Sequence, residues 1–397
     1  MIKLEAYKTT APPPVLAPYR LFFPLGLIVG VLAVGNWPVF ALGWLSALHG
    51  TWHAELQLQG FLLAFVLGFL LTAWPRFTLS SPATTAELWS IAALYAVNVV
   101  AAALEQRAVG HAAFFATMSA LLLFMTRRFQ QRKTNPPDEF IFVGAGVLVG
   151  WFATLIYVWN DLAPLPWSWE LAARRMLSEG MMLMLALGIG GKLAPMILGY
   201  TSDASATPLG LPRARGFDRR RAAIVALALL LTASIPLEYL GAPRAALMLR
   251  AVTACVALFT TIPIWRKSPG GGVLNALLRL SLWMMVLSPS AAALFPESRV
   301  ELLHVLFIGG FGVLIVVVAT RITLTHGNYS LIVERRSKLL VVSAAMLMVA
   351  MLLRGTAPML PAYYVSMLGT AGALWMVGLS VWGCAFMTKA IWVNPSR

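Results

Sequence analysis

The chain has 397 residues, of which 59% are hydrophobic and only 11% charged, and its mean hydropathy is +0.79; a water-soluble domain carries about 25% charged residues, so this composition excludes one and marks an integral membrane protein. The net charge of +15, from 30 Lys and Arg against 15 Asp and Glu, is explained by basic loops facing an anionic leaflet, so no nucleic-acid partner is needed. Two cysteines, Cys255 and Cys384, both inside apolar stretches, exclude a disulfide framework and a Cys-rich metal site, and without a CxxCH there is no covalent c-type haem.

Windows of about 20 apolar residues mark membrane helices, and twelve are expected, near residues 21 to 46, 54 to 74, 86 to 104, 109 to 126, 139 to 159 and 175 to 200, then 222 to 240, 244 to 264, 273 to 295, 301 to 321, 338 to 355 and 362 to 388. The first run continues past Trp37 with no small-residue cleavage site, so it reads as a retained helix rather than a signal peptide. Loops on the side of the N-terminus hold twenty-one Lys and Arg, including Arg127, Arg128, Arg132, Lys133 and the run Arg213 to Arg221; the opposite loops hold seven. That bias, sustained loop by loop, predicts both termini in the cytoplasm. The polar, basic break at residues 201–221 reads as a cytoplasmic linker between two six-helix halves, residues 1–200 and 222–397, and spans two and ten, each with a His at its outer end and an Arg at its inner end, suggest that the halves are weakly related.

Five histidines are candidate ligands. His49, His53, His111 and His304 fall at outer ends of spans, whereas His326 follows span ten on the inner side. The 22 residues from His304 to His326 cover roughly 33 Å of helix, so these two belong to different sites. His49, His53 and Gln57 recur every four residues along one helix face, and Glu55 and Gln59 share another. Polar residues on two faces are costly against lipid, which places this end of span two inside the bundle. His111 has no partner nearby in sequence and reads as structural. In span six, Met176, Met181, Met182 and Met184 read as packing, and Lys192 lies mid-membrane with no carboxylate partner within reach on its own helix. No Walker A, Rossmann or serine-hydrolase signature occurs, and five histidines split between two sides are too few for the haem-copper oxidase core.

Pro18-Tyr19-Arg20-Leu21-Phe22-Phe23, Trp52-His53-Ala54-Glu55 with Gly60-Phe61, the run from Gly68 to Pro75-Arg76, and Ala319-Thr320-Arg321 through Thr325-His326-Gly327 together resemble the NnrS family, from near residue 18 to the last helix. The resemblance implies a multi-pass protein of the bacterial inner membrane with about twelve helices, associated with nitric oxide, nitrosative stress and denitrification, and containing haem and copper. Carried over by position, His53, His304 and His326 match the family's histidines, and Arg20, Arg76 and Arg321 its arginines. A common form of the motif reads WHAHE; here Glu55 stands at the second His, and His49, one turn earlier, is placed to compensate.

The reading is an all-helical, twelve-span membrane protein with an outer site near His53 and His304, where haem b and copper would be bound; the candidate metal ligands over the chain are His53, His304, His326 and Glu55, and the candidate cofactor-binding residues are His53, His304, His49, Gln57, Arg20, Arg76 and Arg321. Its small-molecule partner would be nitric oxide or a related species. Two other classes are a transporter for a metal, metal complex or small anion, with Lys192 and Gly188 to Gly191 lining a midplane path, and an assembly protein that holds the cofactor for a partner oxidoreductase.

Overall fold

The computed structural model describes residues 16–48, 50–200, 218–269 and 271–391. His49 and most of the basic linker lie outside the described residues. Among those described there is no strand, and twelve helices are long and apolar enough to cross a membrane. The six that precede the linker are Pro18–Ala41, Gly50–Thr78, Thr85–Ala103, Arg107–Gln130, Phe140–Leu162 and Trp167–Ile197; the six that follow are Arg219–Tyr239, Pro243–Thr261, Val273–Leu294, Pro296–His326, Lys338–Met359 and Pro361–Ile391.

Local chemistry sets the ends. Span three opens on a capping box in which the Thr84 hydroxyl accepts from the Glu87 amide and the Glu87 carboxylate accepts from the Thr84 amide, satisfying two otherwise orphaned donors. Asp218 and Ser337 cap spans seven and eleven in the simpler way. Pro18 and Pro243 open their helices where a missing N–H costs nothing.

Packing repeats every four spans. Span one lies along span two, five along six and nine along ten; three pairs with four, seven with eight and eleven with twelve. The fourth span of each unit then packs on the first span of the next, four on five, eight on nine and twelve back on one, which closes a ring. The linker divides six spans from six, whereas these contacts follow a period of four. Spans two, six and ten are the enclosed members: 89%, 78% and 67% of their apolar windows are buried, against 33–50% for the other nine. They form the centre of the ring.

These three central spans share an irregularity. Each begins as a short α-helix, passes through a π-helical segment, at Leu56–Leu62, Met176–Met181 and Val305–Gly312, and resumes as α-helix. A π segment admits an extra residue per turn and is frequent at functional sites. In each the fifth residue is glycine, Gly60, Gly180 or Gly309. A Cβ there would overlap Val29, Ile235 or Met351 of a neighbouring span, so the absence of a side chain lets that neighbour close in.

The register past the π segments is also shared. Leu62, Met182 and Phe311 are equivalent, as are Phe65, Leu185 and Leu314, and so are the sets that begin at Val66 and Phe69: each residue recurs 120 positions later in span six and a further 129 later in span ten. All of them face one axial cavity of about 60 Å³. Three helices around an axis touch their neighbours before they meet at the centre, and side chains at equivalent depth leave a gap where none can cross.

Candidate functional site

The face of the ring where spans two and ten begin carries His53 and His304, each just before its π segment. Both imidazoles are held the same way. The His53 ring pairs through Nδ1 with the Ala33 carbonyl of span one at 2.9 Å, and the His304 ring through Nδ1 with the Val300 carbonyl at 2.6 Å. A carbonyl can only accept, so Nδ1 carries a proton in both rings, and in the neutral ring Nε2 carries the lone pair. Among the described residues nothing is hydrogen-bonded to either Nε2. This tautomer, with the far nitrogen anchored to backbone, is the usual state of a metal-ligating histidine.

The two rings are close enough to interact electrostatically with each other and with Arg354. Trp37 meets His53 edge to face at 5.7 Å, and the Arg354 guanidinium lies 6.0 Å from the Trp37 ring centre. Glu301 offsets that charge at 3.6 Å and accepts from the Tyr364 hydroxyl at 3.0 Å. Two buried polar groups here lack hydrogen bonds: Nη1 of Arg354, and both amide atoms of Asn36, which follows Ala33 by three residues and shares its helix face. Buried groups without partners are rare and mark places where a ligand or water completes the set.

The other two junctions between central spans are closed by ion pairs. Between spans two and six, Arg107 meets Glu170 at 2.9 Å and Glu55 at 3.9 Å, and Arg174 meets Glu170 at 3.4 Å. Beside them His111 is paired with Asp161 at 2.7 Å and stacked on Tyr157 at 4.6 Å. Between spans six and ten, Arg250 binds Glu179 at 2.5 Å and Glu238 at 2.8 Å, Arg299 contacts both carboxylates, and Arg175 reaches Glu238 at 2.5 Å. Every carboxylate in that second cluster is buried and paired. Among the described residues, the junction of spans ten and two is the one that presents imidazoles without a carboxylate partner.

The sequence-derived candidates therefore fall in three places. His53 and His304 come together. Glu55, two residues from His53, turns to the junction with span six and meets Arg107, apart from the two histidines. Gln57 donates to the Gly30 carbonyl at 3.0 Å, which seats span two on span one beneath His53.

Arg20, Arg76, Arg321 and His326 collect on the opposite, basic face. Arg76 is in close contact with His326 Nε2, Tyr19 meets the His326 ring edge to face at 5.7 Å, and Arg20 donates to the Tyr19 hydroxyl at 3.3 Å. Arg321 is paired with Glu334, whose carboxyl is pushed above its ordinary range by burial, against the opposite pull of that guanidinium. His326 and His304 close opposite ends of span ten, so no one centre holds both. Lys192 has a neighbour in Glu139 at the start of span five, and Gly188 and Gly191 are packed against Val143 and Glu139. Met181, Met182 and Met184 are buried in the core.

Asn36 and Arg354 escape a sequence reading directed at histidines. An Asn in an apolar span, beside the Trp37-Pro38 break, is the signal that points to the first; Arg354 looks like any basic residue at a helix end. The chemistry open to the site is set by its donors. No group of three or more His, Cys, Asp or Glu is placed to hold a metal ion among the described residues. Two neutral imidazoles instead suit a centre that needs only one or two protein nitrogens, which a haem iron is, since its porphyrin supplies the other four.

Against the family models the chain matches the one described as NnrS protein over residues 13–391. No curated protein matches it. A match over nearly the whole chain places it in the NnrS family.

Proposed function

We propose that this multi-pass membrane protein of the NnrS family, a family associated with the nitric oxide response, binds haem through His53 and His304 and uses it to capture nitric oxide or a related species. The observation that carries the reading is the contrast between three equivalent junctions. Two are closed by ion pairs of Arg with Glu, and the third offers two imidazoles with Nδ1 anchored and, among the described residues, no hydrogen bond at Nε2. Bound there, haem iron would supply a centre with direct affinity for nitric oxide.

The chain's own residues hold and tune it. The Ala33 and Val300 carbonyls fix the two rings and keep their nitrogens basic. Arg354, with Glu301 at 3.6 Å, brings positive charge to the site, and the unpaired Asn36 amide supplies hydrogen-bonding atoms that the protein leaves unused. The same two nitrogens also suit Cu(I), which accepts few ligands, so copper belongs to the reading as a second occupant of the same donors. The site opens toward the periplasm of a bacterial inner membrane, with both termini in the cytoplasm; the loop charges support that orientation. Electrons for any turnover would come from a partner oxidoreductase.

An absorption spectrum of protein purified from cells supplied with iron and copper, with metal analysis, tests the proposal. A Soret band that His53→Ala or His304→Ala removes or shifts, and that His111→Ala leaves alone, is expected. Protein with neither haem nor copper would overturn it.

A further inference from the structure

We propose that the axial cavity between spans two, six and ten is a binding chamber for a small neutral gas molecule, the chemical class that includes nitric oxide. Its capacity for gas is argued from size and lining alone; its service to the two histidines rests on the function proposed above.

Size limits the occupant. The cavity measures about 60 Å³, several times the roughly 10–15 Å³ that one water-sized sphere requires, and well below the roughly 150 Å³ of a cavity that admits benzene. A porphyrin, a lipid chain or an aromatic ring is too large. Water fits by volume but not by chemistry: every lining residue is apolar, and a buried water needs two to four polar partners. A cavity of this kind stays dry, and its walls lack dispersion partners that a polarisable atom or diatomic would supply. Xenon is the matching probe.

Position gives the chamber its purpose. Leu62 follows His53 by nine residues and Phe311 follows His304 by seven, so the chamber lies on the order of 10 Å below the histidines along both helices. It is set at the depth of the hydrocarbon, where an apolar gas dissolves more readily than in water. Equivalent residues of three spans, Leu62, Met182 and Phe311 among them, form its wall. It is therefore a feature of how the central spans pack, and not a gap left by one small side chain.

The test uses the whole protein in lipid nanodiscs and xenon-129 NMR, with empty nanodiscs as the reference. A bound-xenon signal is expected for the unmodified protein. Ala186→Phe, which fills the chamber, should reduce that signal about tenfold or more, and Leu185→Ala, which enlarges it, should strengthen it. Should Ala186→Phe fail to fold, Leu185→Ala still decides the matter. No bound signal in the unmodified protein, or one that neither variant changes, would overturn the chamber. The link to the histidines has its own readout, the rate at which nitric oxide perturbs the haem spectrum, which Ala186→Phe should slow. Protein that binds xenon but no haem would refute the proposed function and leave the chamber standing.

Discussion

Replacing Arg250 by Met tests whether the charged junction between spans six and ten is a closed structural unit. Arg250 is 1% exposed, and its guanidinium donates to Glu179, Glu238, the Ser234 hydroxyl and the Ser234 carbonyl. Met keeps most of the volume and removes the charge. Three guanidinia facing two carboxylates become two facing two, because Arg175 and Arg299 remain. The cluster goes from one excess positive charge to balance, so the loss is of hydrogen bonds to buried acceptors. Breaking a buried pair costs about 3–5 kcal/mol; with two cations left, the lower end, about 3 kcal/mol, is expected. At about 2 °C per kcal/mol for a large chain, that lowers the unfolding midpoint by roughly 6 °C. Thermal unfolding of the detergent-solubilised protein reads it, with a thiol-reactive dye reporting Cys255 and Cys384, the free thiols among the described residues. Adding Glu238→Gln should deepen the loss, since Arg175 and Arg299 then share one carboxylate. An unchanged midpoint in Arg250→Met, or recovery on adding Glu238→Gln, would refute the account of a network held near neutrality.

His326→Ala should leave any haem spectrum unchanged, because the ring lies at the opposite end of span ten from His304; a lost Soret band would move the site to the basic face. Lys192→Met should cost only about 1 kcal/mol in thermal unfolding, since Glu139 keeps its pairing with Arg220. Reporter fusions within residues 213–221 and at the C-terminus should both be cytoplasmic, and a periplasmic C-terminus would contradict the loop charges. Gly180→Leu should reduce folded protein sharply, because a side chain there overlaps Ile235 and Val149; normal yield would mean that the π segment absorbs it.

The spans are legible in the sequence because lipid imposes one rule on every residue: twelve apolar windows correspond to twelve helices among the described residues, most with ends within a few residues of expectation. Span six departs most. It starts at Trp167 rather than near 175, because its opening turns carry Glu170, Arg174 and Arg175, charges that lower the hydropathy of a helix end. Two of them are matched from other spans. Glu170 is paired with Arg107, 63 residues away in sequence, and Arg175 with Glu238, contacts that no window of span six contains.

The four-span period is hidden for a related reason. His53 and His304 make spans two and ten look alike, but span six has Arg175 and Glu179 at its junction, and what it shares with the others is Gly180 and a set of interchangeable apolar side chains. His111 reads as solitary until Asp161, 50 positions away, arrives beside it. The pairing of His53 with His304 is legible as a shared side of the membrane; the carbonyl that orients His53, the unpartnered Asn36 amide and the Arg354 charge depend on spans one and eleven.

The π segments let each central helix take up an added residue in one wide turn without turning its two halves against each other. A residue added to or removed from a plain α-helix turns everything on one side of it by about 100° relative to the other. Winding Leu56–Leu62 as plain α-helix with every residue kept would turn His53 by about that angle away from its present bearing, whereas deleting one residue there would restore plain α-helix and leave the bearing of His53 nearly as it is. The wide turn at Leu56–Leu62 thus ties the bearing of the histidine to the wall of the chamber below it.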